Sequence, residues 1–163
     1  MTVQSIETDS GLIRLEAAKG NPWQLHPQLA TIWPEPYNTE AKEASAEDSH
    51  TGQVMLIKYG HQVIGTTGLF LQDDDFLNVY LRWHGVVPQW RRHGYAGEAI
   101  KLIASVARMV FPHRRYLVEL APVTQYGEAV IRFFTSVGFT VHPEQHRYCD
   151  EMWWPMLYDL KGH

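Results

Sequence analysis

The sequence predicts an α/β (α+β mixed) fold, a mixed sheet with helices on its faces. Three observations point there. Extended apolar runs fill most of 53–87, two helix-periodic segments flank an extended run at 116–121, and the chain closes on two more strand-like segments. Strands, a turn and helix, a strand, a helix and two strands are the order of a mixed sheet covered by helices. A chain of 163 residues has the size of one domain, so 1–163 is expected to form a single unit.

The elements follow in chain order. Residues 11–18 alternate well enough for a first strand, and 25–33 read as a short helix stopped by Pro34. The polar stretch from Glu35 to Thr51 reads either as an exposed loop or as a second short helix. Residues 53–58 and 63–71 are strands around a Tyr59-Gly60-His61-Gln62 turn. Asp73-Asp74-Asp75 resembles a run of calcium ligands but reads as a charged hairpin tip. Residues 76–87 form one long strand, rich in aromatic and branched side chains. The strongest helix is 94–111, where Ile100, Ile103, Val106, Ala107 and Val110 recur at helical spacing and Pro112 stops the run. A buried-type strand at 116–121 precedes a second helix at 128–137, with Gly138 as its C-cap. Residues 139–142 and 152–160 are closing strands, the last placed at an edge or bulge by Pro155.

Bulk composition excludes several classes. Hydrophobic residues make up 45% and charged residues 20%, the balance of an ordinary soluble globular protein. A net charge of −4 argues against a nucleic-acid partner, which needs a basic face, and suits cationic substrates such as amines. One cysteine, Cys149, rules out an internal disulfide and fits a cytoplasmic location. No apolar run approaches the ~18 residues of a membrane span, so no membrane partner is expected. His142 and His146 have a metal-site spacing, but Pro143 between them argues against a shared helical face, so no metal is expected.

The stretch 86–97 carries the chemistry. It joins the long strand to the best helix through Arg91, Arg92, His93 and a Gly94-Tyr95-Ala96-Gly97 turn. A helix N-terminus offers free N–H groups and partial positive charge, and Gly94 lets backbone approach an anion closely. Such a joint suits a phosphorylated ligand.

These residues resemble the GNAT acetyltransferase superfamily. Its signature, Arg/Gln-x-x-Gly-x-Gly/Ala after a strand ending in Val-x-Pro, reads here as Val86-Val87-Pro88 and then Arg91-Arg92-His93-Gly94-Tyr95-Ala96. A second family element, a strand, a helix and Gly-Phe, reads as Val118-Glu119-Leu120, Phe133-Phe134 and Gly138-Phe139. The resemblance implies a mixed, mostly antiparallel sheet of about seven strands with helices on both faces. It implies acetyl-CoA as donor and a primary amine of a small molecule as acceptor, by direct attack on the thioester. Backbone N–H groups from Arg92 to Gly97 would hold the pyrophosphate, with Arg91 beside them. Val86 would pair with the pantetheine, and the backbone N–H near His84 would stabilise the developing oxyanion. At two family positions the chain departs from pattern. Phe134, expected against the cofactor, stands where many members carry a tyrosine acid, and Gly127 where many carry an asparagine. Tyr126, Tyr148 and Cys149 are candidate replacements for the acid. The missing tyrosine also leaves open a protein N-terminal or lysine acetyltransferase, or a non-catalytic acyl-CoA-binding regulator. Dimers are common in the family, and the aromatic last strand offers a surface for a homodimer.

Catalytic candidates follow from residue type and placement. Glu119 interrupts an apolar strand, where a carboxylate needs a reason; it is either a general base or the partner of Arg114, Arg115 or Arg132. Tyr80, Arg82 and His84 alternate on one strand and so share a face. His84 suits proton transfer near neutrality, or is a buried hydrogen-bonded histidine. Tyr80 and Arg82 either line the acceptor pocket or cover the sheet. Trp23, Trp33, Tyr37 and the Trp153-Trp154 pair could shape that pocket.

Overall fold

A computed structural model describes residues 3–47, 52–148 and 151–162. The strands are β1 (Ser5–Glu7), β2 (Ile13–Ala17), β3 (Gly52–Tyr59), β4 (Gln62–Phe70), β5 (Asn78–Leu81), β6 (Gly85–Val86), β7 (Tyr116–Pro122), β8 (Thr140–Val141), β9 (His146–Tyr148) and β10 (Glu151–Asp159). The helices are α1 (Pro22–Leu25), α2 (Tyr37–Glu47), α3 (Tyr95–Val110) and α4 (Gln125–Ser136), with 3-10 turns at Pro27–Thr31 and Pro88–Trp90. The strands form one sheet in the order β1-β2-β3-β4-β5-β7-β10-β8, with β6 on β4 and β9 on β10. Among the described residues the β5–β7 pair alone is parallel, so the expected mixed and mostly antiparallel sheet is what forms. Among the described residues its strands number ten rather than about seven, because the strand expected at 76–87 is divided and two short strands, β1 and β9, join the sheet edge and β10.

Alternation along the strands explains the layers. Met55 and Ile57 face one side of the sheet and Leu56 the other. The first side packs on Ile100, Ile103, Val106 and Phe134 from α3 and α4. The second packs on Trp23, Leu29, Ile32 and Ala41 from the α1–α2 region. Helices therefore cover both faces. In α3 the buried residues recur every three or four positions, and each buried Ile or Leu contributes about 2 kcal/mol.

Several expected elements shift. The helix expected at 25–33 is α1 followed by a 3-10 turn, because Pro22 starts one and Pro27 the other. The polar stretch resolves in favour of a helix, α2. The long strand expected at 76–87 is interrupted: Trp83 takes φ 53°, and although both halves pair with β4, two residues, Trp83 and His84, stand opposite Thr67, so the strand bulges there. Pro155 lies inside a strand flanked on both sides. Its backbone faces the β8 side, where its carbonyl accepts from His142 N–H at 2.8 Å, and regular β8 pairing stops at Met156–Val141. A proline nitrogen is tolerated where the ladder ends.

Gly127 explains a departure noted in the sequence. Thr124 caps α4 by accepting from Gly127 N–H at 3.2 Å, which folds the helix start back on β7. A Cβ at Gly127 would lie 1.6 Å from the Pro122 carbonyl oxygen, so no side chain fits without moving backbone. Gly127→Ala should therefore destabilise the protein by about 2 kcal/mol or more, read from chemical denaturation. Wild-type stability would contradict this close approach.

Candidate active site

The site begins where the sheet splits. β5 pairs with β7 only through Asn78–Tyr116, Val79–Leu117 and Tyr80–Val118. Beyond that point β7 continues along β10, while the other arm stays on β4, where Leu81 pairs with Leu69 and, past the bulge, Gly85 and Val86 pair with Thr66 and Gly65. Two buried hydroxyls hold this fork. Thr66 Oγ1 donates to Trp83 O at 2.6 Å, and Thr67 Oγ1 lies 2.9 Å from His84 Nδ1. Arg82 N–H also bonds Gly68 O at 3.1 Å. Between the arms lies a cleft of about 380 Å³, within the size range of small-molecule sites.

One end of the fork leads to the 91–97 turn. Arg92 and Gly94 both take left-handed backbone, φ 64° and 79°. Turns built this way gather N–H groups into an anion-holding concavity. A Cβ placed on Gly94 would meet nothing within 4 Å, so the space in front of the turn is open. No side chain caps the helix there. The residues present thus fit a diphosphate. Gly97 allows α3 and α4 to approach, with Val137 3.3 Å from its would-be Cβ. His93 is exposed and stacks on Tyr95 at 5.4 Å, which also packs against Tyr59 and Trp90.

Arg91 sits differently. Its Nε donates to Val86 O at 3.1 Å and its Nη2 to Ile32 O at 2.5 Å. The guanidinium braces the α1–α2 region against the turn. Val86 is buried at the fork, and Phe134 is buried with its ring edge-on to His84, Phe133 and Phe139. Phe134 also reaches the cleft wall.

The cleft wall is aromatic and carries more acidic than basic groups. Glu119 and the exposed Glu40 and Glu151 line it together with Arg82, Trp33, Trp83 and Trp153. Tyr37 and Tyr126 stack at 5.3 Å. Trp23 lies behind this wall, 6.2 Å from Trp33 and 6.4 Å from Trp83. The two tryptophans of the last strand divide: Trp153 lines the cleft, and Trp154 packs on the core.

Glu119 is half-buried at the inner edge of β7, past the point where β5 leaves. Its Oε1 accepts from Leu120 N–H at 3.1 Å. Burial pushes its carboxyl up to about 8, against the opposing pull of that hydrogen bond and of Arg82. The ion-pair alternative finds two of its arginines engaged elsewhere, for Arg115 pairs with Asp159 at 2.7 Å and Arg114 bonds the carbonyls of Asp75 and Asn78. Glu40 is likewise raised, by burial and then by Glu151 and Glu43. Burial, and then Glu119, pushes the Tyr126 phenol up to about 12, so it keeps its proton near neutrality.

The other catalytic candidates are anchored. Tyr80 reaches the cleft, but its hydroxyl donates to Asp75 Oδ2 at 2.7 Å. Asp75 also accepts from the N–H groups of Leu77 and Asn78, so the acidic tip is a turn cap. His84 is buried, with Nε2 3.0 Å from Ala96 O; burial holds its imidazole down at about 4. Cys149 lies outside the described residues. The rings of His142 and His146 do meet, at 4.8 Å, yet the described residues contain no group of three or more His, Cys, Asp or Glu placed to hold a metal. No helix among them is long and apolar enough to cross a membrane.

Sequence reading missed Thr66, Thr67, Glu40 and Glu151. The two threonines had a signal, because adjacent polar residues in an apolar strand put one hydroxyl into each face. Glu40 sits in a polar stretch where nothing separates it from its neighbours.

Comparison with known proteins agrees with this geometry. Residues 23–139 match the model of the acetyltransferase (GNAT) family. No curated protein matches in sequence. Among solved structures, a GNAT-family protein from Desulfovibrio desulfuricans superposes with a TM-score of 0.73 at 11% identity, covering 91% of this chain and 99% of that one. A GNAT acetyltransferase from Elizabethkingia anophelis with acetyl-CoA bound gives 0.59 at 18% identity, over 92% and 96%. Spermidine N-acetyltransferase from Vibrio cholerae, in complex with CoA and spermine, gives 0.68 at 12% identity, also over 92% and 96%. At these identities the superpositions show a shared fold. The family match covers most of the chain: it belongs to the GNAT acetyltransferases, enzymes that use acetyl-CoA as acyl donor.

The raised carboxyl of Glu119 makes a prediction about stability. Its folded value of about 8 exceeds the ordinary 4.5, so the folded state holds a proton that the unfolded chain releases. This contribution is full below pH 4.5 and is lost as pH rises through about 8. Relative to Glu119→Gln, the wild type should lose stability across that window, by up to about 1.4 kcal/mol per pH unit, measured by denaturation at several pH values. A constant difference would show that Glu119 is not buried as described.

Proposed function

We propose that this member of the GNAT family acetylates a small, positively charged primary amine by direct attack on the thioester, with Glu119 as general base. The observation that carries the reading is a raised carboxyl inside an acidic, aromatic cleft at the fork. Carboxylates and aromatic faces both attract an ammonium group, the aromatics through their π-electrons. The cleft volume suits a small molecule.

Acetyl-CoA supplies the activated acyl group. The chain supplies its placement. N–H groups from Arg92 to Gly97 would hold the diphosphate, and Val86 would pair with the pantetheine arm. The backbone N–H at His84, where the strand bends away from β7, would stabilise the developing oxyanion. Arg91 keeps the turn and the α1–α2 region in register through its two carbonyl bonds.

Glu119 removes the ammonium proton before attack. A carboxyl near 8 is a stronger base than an ordinary one, and so better matched to this step. A bound ammonium pulls that value down again by charge attraction, which favours proton transfer once the acceptor is seated. Phe134 carries no hydroxyl, so the departing thiolate takes no proton from that position. Tyr37 and Tyr126 form the acceptor wall, and Glu40 and Glu151 favour cationic acceptors. The Vibrio cholerae enzyme of the same fold is a spermidine N-acetyltransferase, which puts diamines and polyamines first in any panel.

The test is thiol release from acetyl-CoA with polyamines, arylamines, amino acids, aminoglycosides and short peptides. Cationic alkylamines should turn over fastest. Turnover confined to peptides would contradict the small-amine reading. With the preferred acceptor, kcat/KM should rise with pH toward about 8, and Glu119→Gln should flatten that limb and lower the rate roughly a hundredfold or more. A variant that keeps the wild-type limb would remove Glu119 as base and leave acetyl transfer standing.

A further inference from the structure

We infer that His84 is a positioning residue, one that locks the cofactor turn to the fork through Thr67 and Ala96 and moves no proton in the reaction. The inference rests on the reading of the 91–97 turn as the acetyl-CoA cradle. Its warrant is the hydrogen-bond geometry. A carbonyl oxygen can only accept, so the 3.0 Å contact from Nε2 to Ala96 O places the ring proton on Nε2. Nδ1 is then a bare acceptor, and Thr67 Oγ1–H donates to it at 2.9 Å. Both nitrogens are used, which leaves no lone pair to take a proton from an acceptor in the cleft.

The packing makes the ring rigid. Phe133 stacks on it at 6.3 Å with an interplanar angle of 16°, and Phe134 meets it edge-on at 6.0 Å. The ring is therefore faced by Thr67 from β4, Ala96 from α3 and two phenyl rings from α4. Turning it would break two hydrogen bonds in a buried site, where unmade bonds are costly.

The consequence reaches the turn. Ala96 is the second residue of α3, inside the stretch whose N–H groups meet the diphosphate. Its carbonyl is tied to His84, which is tied to Thr67, while Thr66 next door holds Trp83 O. The cradle and the bend in the strand are thus fixed to the same two residues of β4. Small displacements of such groups are expensive in rate, with ~1 Å able to cost about a hundredfold.

Three variants test this: His84→Phe, His84→Gln and Thr67→Val. The readouts are acetyl-CoA affinity by calorimetry, KM and kcat for both substrates, the pH profile and the melting temperature. His84→Phe and Thr67→Val should each weaken acetyl-CoA binding roughly tenfold, the equivalent of one hydrogen bond. The shape of the pH profile should stay that of the wild type. Gln keeps a donor for Ala96 O, so His84→Gln should recover most of the affinity. Should the phenylalanine variant fail to fold, Thr67→Val decides the matter, since it removes one hydroxyl and keeps the shape. Loss of kcat and of the pH limb at unchanged acetyl-CoA affinity would make His84 a base and overturn the inference. Folded variants with wild-type affinity and KM would overturn it too. A wild-type protein that does not bind acetyl-CoA would overturn the acetyltransferase reading along with it.

Discussion

The divergence of the strands after Tyr80 is the constraint on which the rest depends. A sheet gains by continuing to pair, and here it stops. β7 keeps its partner β10, and the other arm stays on β4 and bulges away from β7. Trp83 adopts left-handed backbone to make the turn, at a cost of order 1–2 kcal/mol for a residue with a Cβ. The Thr66 hydroxyl, the Gly68 carbonyl and the packing of Trp83 on Trp23 and Trp33 offset it. Strain retained in this way opens a gap in a sheet otherwise covered on both faces.

The gap also sets the electrostatics. A carboxylate on the inner edge of a closed strand would be excluded or paired with a cation. Glu119 instead faces a cleft, half-buried, with its hydrogen bond from Leu120 N–H and the charge of Arg82, which lines the same cleft, as partial compensation. The aromatic wall keeps the surroundings poorly polarisable, so the negative charge stays costly until a cation arrives. In the proposed reaction, binding of an ammonium group and ionisation of Glu119 would therefore favour each other. Backbone N–H groups gathered at one end of the fork and carboxylates in the cleft give it two poles, which is what the proposed phosphorylated donor and cationic acceptor would need.

Local features were legible in the sequence, and features made by tertiary pairing were not. The 91–97 turn could be read because its glycine, its helix start and its strand are contiguous. Glu119 could be read because a charge in an apolar strand stands out against its neighbours. The residues of 76–87 all favour extended backbone, so the sequence presents one continuous strand; the bulge at Trp83–His84 is set by register against β4 and by the Thr66 and Thr67 hydroxyls, which local sequence does not announce. His84 had the right chemistry for a base, and only its contacts with Thr67 and Ala96 show both nitrogens engaged. Arg91 belonged to the motif, yet its side chain turns to Ile32, a residue nothing in the local sequence connects to it. Glu40 and Glu151 reach the cleft from opposite ends of the chain, and no spacing rule joins them.

The central claim is that the open turn at the end of the fork holds acetyl-CoA. Calorimetric titration of acetyl-CoA into the wild type and into Gly94→Trp tests it most directly, because the new side chain would fill the space before the N–H groups and resist the left-handed backbone. The account predicts saturable binding to the wild type and none to a variant whose melting shows it folded. Equal affinity in the two proteins would contradict it.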